Sequence, residues 1–367
     1  MIRILHVIGS LNNGGSQAMV MNLYRNIDKT KIQFDFIIDR ENELFFADEI
    51  TALGGKIHVL PSFKGWNITW YLKAWNKFFK DHSEYRIIHG HVRSTASIYL
   101  KIAKMYRLKT ISHSHSTSSG KGLSAVVKNI MQYPIRYFAD YFFACSKEAG
   151  EWLFGKKILS KKNFFVFKNA IDTKKFIFSN EIRHQIREEY NISNNFVIGH
   201  VGRFHPTKNH EFLVEVFYEV YKNEPSAKLM LVGDGAEIEY IKEKSSKLGI
   251  LNNIIFVGVS SDVPKLMQAM DAFVFPSLYE GLGIVVIEAQ ASGLFCVVAD
   301  TIPKDTNISG IVEFISLNES SIYWAGKILD LRNNYKRTNL VNELIQSGYD
   351  IKQTSYWLQR FYLEMCE

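Results

Sequence analysis

Two glutamates, Glu280 and Glu288, flank a glycine-broken apolar run in PSLYEGLGIVVIEAQASG (Pro276–Gly293), and two cations, Arg203 and Lys208, sit in GHVGRFHPTKNH (Gly199–His210). A guanidinium fork and a lysine point charge this close together suit a diphosphate. The glutamates read differently. Glu280 falls in a loop and Glu288 about two turns away on a helix rising ~1.5 Å per residue, too far for one shared proton. They should hold different parts of one ligand: Glu288 accepts two hydrogen bonds from a ribose diol, while Glu280 approaches a sugar or a leaving group. Between them, the amides about Gly281, Leu282, Gly283 and Ile284 at a helix N-terminus would face a phosphate. Gly14 and Gly15 form a second turn of this kind before a helix. In LVGDG, Gly233 and Gly235 permit close approach of a base or ribose, and equally make an ordinary turn.

These groups need strand ends to position them, and the sequence supplies two series. Apolar runs IRILHVI, FDFIID, KIHVL, YRIIHGHV, LKTISHSH, YFFACS and FFVFKNA alternate with amphipathic stretches. After a polar helical connector from Asp172 to about Asn195 the rhythm restarts with FVIGHVGRF, AKLMLVGDG, NIIFVGV, AFVFPS, FCVVAD and IVEFI. Each series predicts an α/β unit with a parallel, doubly wound sheet. The expected domains are 1–175 and 176–351, the first completed by a closing helix over 352–367. Ligands bind such sheets at the carboxyl ends of their strands, so facing lobes would share one cleft.

The bulk composition agrees with a folded two-domain chain: 367 residues, 47% hydrophobic, 22% charged, with 7 prolines. The opening MIRILHVIG reads as a first strand and not a signal peptide. No run approaches the ~20 apolar residues of a membrane helix. Three scattered cysteines (Cys145, Cys296, Cys366) show neither metal nor disulfide spacing, as suits a reducing cytoplasm. A net charge of +7 favours anionic partners without choosing one. Neither an RNA-binding nor a helix-turn-helix signature is evident, so nucleic acid is not expected.

The order NNGGSQAMVMNL, ISHSHST, FKNAID, VGRFHPTKNH, LVGDG, PSLYEGLGIVVIEAQASG, VVAD covers nearly the whole chain. It resembles the retaining glycosyltransferases of family four, whose signature is Glu, seven residues, Glu, and within them the enzymes of bacterial exopolysaccharide and capsule assembly. The resemblance implies a GT-B architecture of two Rossmann-like domains, with the sugar nucleotide held mainly by the second. It implies that Arg203 and Lys208 bind the diphosphate, Glu280 the donor sugar or its leaving group, and Glu288 the ribose. Gly15 would offer an amide to the phosphate, and His115 would contact the transferred sugar, with His113 as its neighbour. The chain departs from the pattern at NAID, where Gly is usual, and at Phe295, where Pro is usual; neither position bears chemistry.

The implied reaction moves a hexosyl or N-acetylhexosaminyl unit from a UDP-sugar to a lipid-linked oligosaccharide. Retention follows from front-face attack, and no cofactor or metal is expected, since the cations serve the diphosphate and no Asp-x-Asp pair is present. The rival readings are an inactive nucleotide-sugar-binding partner or sensor, and a sugar-nucleotide epimerase or phosphorylase on the same fold.

Two further motifs carry alternatives. HGH (His89–His91) and HSH (His113–His115) each put two imidazoles on one strand face. They could form a zinc site, but no acidic or cysteine ligand accompanies them, and they read instead as polar side chains facing the cleft. The run FKGWNITWYLKAWNKFFK (Phe63–Lys80) interleaves aromatics and lysines. Trp66, Trp70, Trp75 and Phe78 suit either a membrane interface at the inner leaflet or a helix packed on the first sheet. The expected location is the cytoplasm, with peripheral attachment to the inner membrane face.

Overall fold

The computed structural model describes residues 1–12, 14–41, 44–120 and 122–366. Asn13 of the glycine turn and Glu367 of the expected closing helix lie outside them.

The chain divides into two units, one of residues 1–171 with 350 onward, the other of residues 172–349. The apolar runs form the strands. In the first unit β1 (Ile2–Gly9), β2 (Ile32–Ile38), β3 (Ile57–Val59), β4 (Ile87–Gly90), β5 (Lys109–Ser114), β6 (Tyr141–Ala144) and β7 (Phe164–Val166) make a parallel sheet in the order β3-β2-β1-β4-β5-β6-β7. In the second, β8 (Val197–Val201), β9 (Lys228–Val232), β10 (Ile254–Gly258), β11 (Ala272–Phe275), β12 (Phe295–Ala299) and β13 (Val312–Ile315) run parallel in the order β10-β9-β8-β11-β12-β13. Both are the doubly wound order, whose strand direction of growth reverses between the first and fourth strands. Ligands of such sheets bind at that switch point.

Helices matter here only where they position side chains. They are α1 (Gly15–Asn26), α2 (Ile68–Asp81), α3 (Leu123–Gln132), α4 (Ile135–Phe138), α5 (His210–Asn223), α6 (Ile284–Ala291) and α7 (Ile351–Glu364). The closing helix α7 returns to the first unit. Its Ile351, Leu358 and Tyr362 join the core with Ile4, Val20 and Phe36, and the Asp28 amide donates to Gln359 Oε1 at 2.9 Å. Phe361 and Tyr362 of that helix are thus spent on packing, while Tyr356 stays exposed.

The same holds for half of α2. Tyr71, Trp75, Phe78 and Phe79 are buried against Tyr99 and Leu100 in the core, so Trp75 and Phe78 are unavailable to a membrane, while Trp66 and Trp70 remain exposed. One buried charge in the sheet, Asp35 on β2, is matched by Arg3 (2.5 and 2.6 Å), the Tyr85 hydroxyl (2.8 Å) and the Lys56 amide (2.7 Å), as a buried carboxylate requires.

Candidate functional site

In the second unit the switch point lies between β8 and β11. The chain leaves β8 at Gly202 and Arg203 and turns through a short helical segment, Pro206–Lys208, into α5. It leaves β11 into the loop that carries Glu280, then enters α6. The two loops are tied together: the Leu278 amide and the Ser277 hydroxyl both donate to the Thr207 carbonyl at 2.8 Å. This brings Lys208 Nζ onto Glu280 Oε1, which also lies 2.9 Å from Ser277 Oγ. The lysine ammonium further lies 5.0 Å from the centre of the Phe275 ring. Both partners of this pair keep part of their surface open.

Arg203 is exposed and makes no hydrogen bond or ion pair among the described residues. It is therefore a donor fork held ready and not consumed by the fold. Its loop is fixed instead by glycine. Gly233 has φ +140° and a Cβ there would stand 2.1 Å from the Gly202 carbonyl oxygen; at Gly235 (φ +157°) it would stand 2.3 Å from that of Phe204. Two loops running backbone to backbone therefore require glycine at both positions of LVGDG.

Glu288 lies in the second turn of α6, with Val286, Ile287 and Ala289 buried beside it. Its carboxylate has no hydrogen-bond or ion-pair partner among the described residues, and burial pushes its pKa up to about 7. A half-buried carboxylate with no donor from the protein carries a desolvation cost, which makes Glu288 a candidate ligand-binding group. At the start of the same helix Gly283 takes φ +74° and no side chain caps the first amides, while Leu282 is buried. Those amides remain available to an anion.

Two residues beneath this site were not singled out from sequence. His200 on β8 donates from Nδ1 to the Val274 carbonyl (2.9 Å), and His210 stacks on Phe204 with centroids 4.2 Å apart. Burial, and then their mutual repulsion for His200 and Lys208 for His210, hold both neutral, His210 at about 4. Their signal was present in GHVGRFHPTKNH, whose histidines alternate with the cations.

The first unit presents a different arrangement. The Gly14–Gly15 turn starts α1 with no side-chain cap and no acidic residue in its first turn, so its amides are open to an anion. Beside it, a cavity of about 730 Å3 is lined by Ser10, Gln17, Arg40, Lys64 and, from α3, Val127 and Lys128.

Of the four histidines expected to face a cleft, His91 and His115 are half-buried and the other two are not open to solvent. His89 and His113 are buried, and parallel register places a fifth, His6 on β1, opposite His89. One hydrogen-bonded row runs His6 Nδ1 to His91 Nε2 (3.0 Å) and His91 Nδ1 to His115 Nε2 (2.8 Å). A second runs from the Tyr362 hydroxyl of α7 to His89 Nδ1 (2.6 Å) and from His89 Nε2 to His113 Nδ1 (3.3 Å). Burial, reinforced by neighbouring histidines or, at His115, by Arg93, lowers every one of these pKa values, that of His115 to about 3. All five rings are neutral at pH 7. With one proton each, a donating Tyr362 fixes His89 as an Nε2–H donor to His113, whose own proton then sits on Nε2. His115 keeps Nδ1 without a protein partner. The triads His6/His89/His91 and His91/His113/His115 are close enough to share an ion, but they offer no negative charge to balance one.

A further cavity of about 410 Å3 in the second unit lies at the opposite, amino-terminal ends of β8 and β11. Arg183, Arg187 and Arg337 there are spent on the carbonyls of residues 267–270 and, for the first two, on Asp271. It is a structural cap and not the site.

Comparison with known proteins agrees with this geometry. Residues 13–175 match the Glycosyltransferase Family 4 model and residues 182–349 the Glycosyl transferases group 1 model. EpsF of Bacillus subtilis (strain 168), named as a glycosyltransferase, is 32% identical over 96% of this chain and 94% of its own length. The UDP-Gal:alpha-D-GlcNAc-diphosphoundecaprenol alpha-1,3-galactosyltransferase of Escherichia coli is 22% identical over 77% of this chain and 76% of its own. Among solved structures, HepE of Anabaena in complex with UDP superposes with a TM-score of 0.81 at 19% identity, over 99% of this chain and 100% of that one. Two parallel doubly wound units, the paired family matches and a full-length relative above 30% identity together make the chain a GT-B glycosyltransferase, of the family whose N-terminal domain is Glycosyltransferase Family 4 and whose C-terminal domain is Glycosyl transferases group 1.

Proposed function

We propose that the protein transfers a hexosyl or N-acetylhexosaminyl unit, with retention and without a metal, from a UDP-sugar to a lipid-linked oligosaccharide in exopolysaccharide or capsule assembly. The observation that carries the donor half is the unpartnered Glu288 carboxylate on the helix whose open N-terminus follows the Lys208–Glu280 pair. Glu288 accepts from the ribose diol. Arg203, Lys208 and the amides of Gly281–Gly283 stabilise the diphosphate as charge develops on it, and Gly14 and Gly15 add amides from the first unit. The relative that uses UDP-galactose and a diphosphoundecaprenol acceptor and the UDP complex of the structural neighbour support the choice of donor and acceptor class.

The bond from C1 to the diphosphate oxygen breaks as the acceptor oxygen bonds C1 from the same face, and the acceptor proton passes to the departing phosphate oxygen. Glu280 orients the sugar once the diphosphate draws Lys208 away. His115, neutral and aligned by His91, hydrogen-bonds the sugar and is not an acid. The reaction runs at the cytoplasmic face of the membrane, with Trp66, Ile68, Trp70 and Leu72 the apolar side chains of residues 63–80 left exposed to touch it.

Thermal-shift screening against UDP, GDP and ADP tests this reading, because a ligand of the folded state raises its melting temperature. UDP is expected to shift it and the other two to leave it unmoved. A shift with GDP or ADP alone would reassign the donor, and no shift with any would argue for an inactive subunit.

A further inference from the structure

We propose that the arginine-lined cavity of the second unit binds a phosphate group carrying two negative charges, free or on a small organic molecule. The cavity, of about 410 Å3, lies at the amino-terminal ends of β8 and β11, at the opposite end of the sheet from the loops that carry Arg203, Lys208 and Glu280. Arg183, Arg187 and Arg337 line it, and Asp271 is the one carboxylate among its described lining residues. Three guanidinium charges therefore share one counter-charge, an excess of two. The hydrogen bonds of the cap do not remove that excess. They end on the carbonyls that close the helix Val263–Ala269, and a helix C-terminus supplies only about half a negative charge. A fourth arginine, Arg332, is matched by Glu224 and leaves the balance as it is. Capping alone needs donors and no charge: the Gln290 amide does the same work for the carbonyls of Val286 and Thr306. The crowding shows in Arg337, whose pKa falls to about 9, first through burial and then through Arg183 and Arg187. An anion seated among the three relieves that repulsion.

The walls choose the anion. Arg183 bonds through both Nη atoms and keeps its Nε–H free among the described residues. At the rim Ser193 and Asn194 are exposed and offer a hydroxyl and an amide. Phe178, with the Arg337 guanidinium 4.2 Å from its ring centre, and Leu331 add apolar wall. The volume falls in the range of small-molecule sites, about 300–1,000 Å3. A phosphate monoester is close to a dianion at neutral pH, which matches the excess charge, and its oxygens suit guanidinium forks. A carboxylate brings one charge and meets half of it. Both strands that reach the candidate donor site are rooted here: the Val197 amide at the start of β8 donates to Asp271 Oδ2, next to the start of β11, at 2.7 Å. A bound dianion thus stabilises the near ends of the strands whose far ends carry the loops of Arg203 and Glu280.

Calorimetric titration with glucose 1-phosphate, inorganic phosphate and uncharged glucose, at pH 8 where both phosphates are dianions, tests the site. Both phosphates are expected to bind the wild-type protein, and glucose is not. Arg203 and Lys208 also suit phosphate, so the titration is repeated in R203A/K208A, where binding in the cavity should stay within about threefold of wild type. S193D/N194D adds two carboxylates at the exposed rim, on side chains that take no part in the cap. It should weaken phosphate binding roughly a hundredfold, about tenfold for each added charge, and raise the melting temperature in phosphate-free buffer by supplying the missing counter-charge. The neutral control S193N/N194Q should bind as wild type does, which separates lost charge balance from a disturbed rim. Tighter binding of glucose 1-phosphate than of inorganic phosphate identifies a sugar phosphate as the ligand, and equal binding identifies free phosphate. The proposal is overturned if neither phosphate binds the wild-type protein, if R203A/K208A abolishes binding, or if S193D/N194D leaves it intact.

Discussion

Replacing Glu288 by Gln removes a carboxylate held near the middle of the accessible pH range, so its effect on donor affinity should itself depend on pH. With the pKa raised to about 7, Glu288 is about one-tenth ionised at pH 6 and about nine-tenths at pH 8. Only the ionised form accepts both hydrogen bonds of a ribose diol. Wild-type affinity should therefore rise about tenfold from pH 6 to pH 8. Hydrogen bonds to a charged acceptor contribute ~1.5–3 kcal/mol each, so E288Q should bind ~30-fold to 100-fold more weakly at pH 8, and the gap should narrow at pH 6. Calorimetric titration with a UDP-sugar is the assay, because its diphosphate is a diester and does not itself titrate in this window. The unliganded protein should show the opposite trend. A carboxyl whose folded pKa is raised stabilises the fold below its unfolded value, near 4.5, and that stability is lost as pH rises through about 7. The loss is roughly 3 kcal/mol at most, and E288Q should be free of it. A wild-type to E288Q affinity ratio that is constant with pH, or wild-type affinity that rises toward pH 6, would refute the assignment of Glu288 to the ribose.

Lys208→Ala should lower kcat/KM by ~10²-fold to 10³-fold, as for loss of one preorganised donor at a developing oxyanion, and should weaken UDP binding in the same titration. Gly233→Ala would force a Cβ onto the Gly202 carbonyl at 2.1 Å and should cost about 3 kcal/mol or more of stability, read by chemical denaturation. Tyr362→Phe removes the hydroxyl bonded to His89 and should cost about 1–2 kcal/mol of stability, with KM for the donor unmoved, because the C-terminal helix sets a tautomer and touches no ligand.

Much of this was legible in the sequence for a physical reason. Buried parallel strands must be continuous apolar runs, and the loops of a doubly wound sheet must follow strand ends, so AFVFPS and FVIGHVGRF announced the switch point and the two loops that leave it. The place of Glu288 on a helix was readable because helix register is local. The histidines were not. Whether HGH and HSH face a cleft or a core depends on which strands flank β4 and β5 and on a helix more than two hundred residues away, and only the fold brings His6 and Tyr362 to them. In α2 the aromatic spacing was right for a helix, but Trp75 and Phe78 went to the core because Tyr99 and Leu100 offered them a surface. The steric need for glycine in LVGDG was not legible for a similar reason, since the backbone it must clear comes from another loop.

The central claim is that the C1–phosphate bond of a UDP-sugar is cleaved, with retention, at the site built by Lys208, Glu280 and Glu288. Following the anomeric proton by NMR as the protein acts on UDP-sugars, with a membrane lipid extract as the acceptor source or with water in its place, measures this most directly. The account predicts that the α-anomer of the sugar appears first, that UDP is released in equal amount, and that both signals vanish in Glu280→Gln and Lys208→Ala. Initial release of the β-anomer, or undiminished cleavage in those variants, or UDP bound by a protein that cleaves no UDP-sugar, would contradict it.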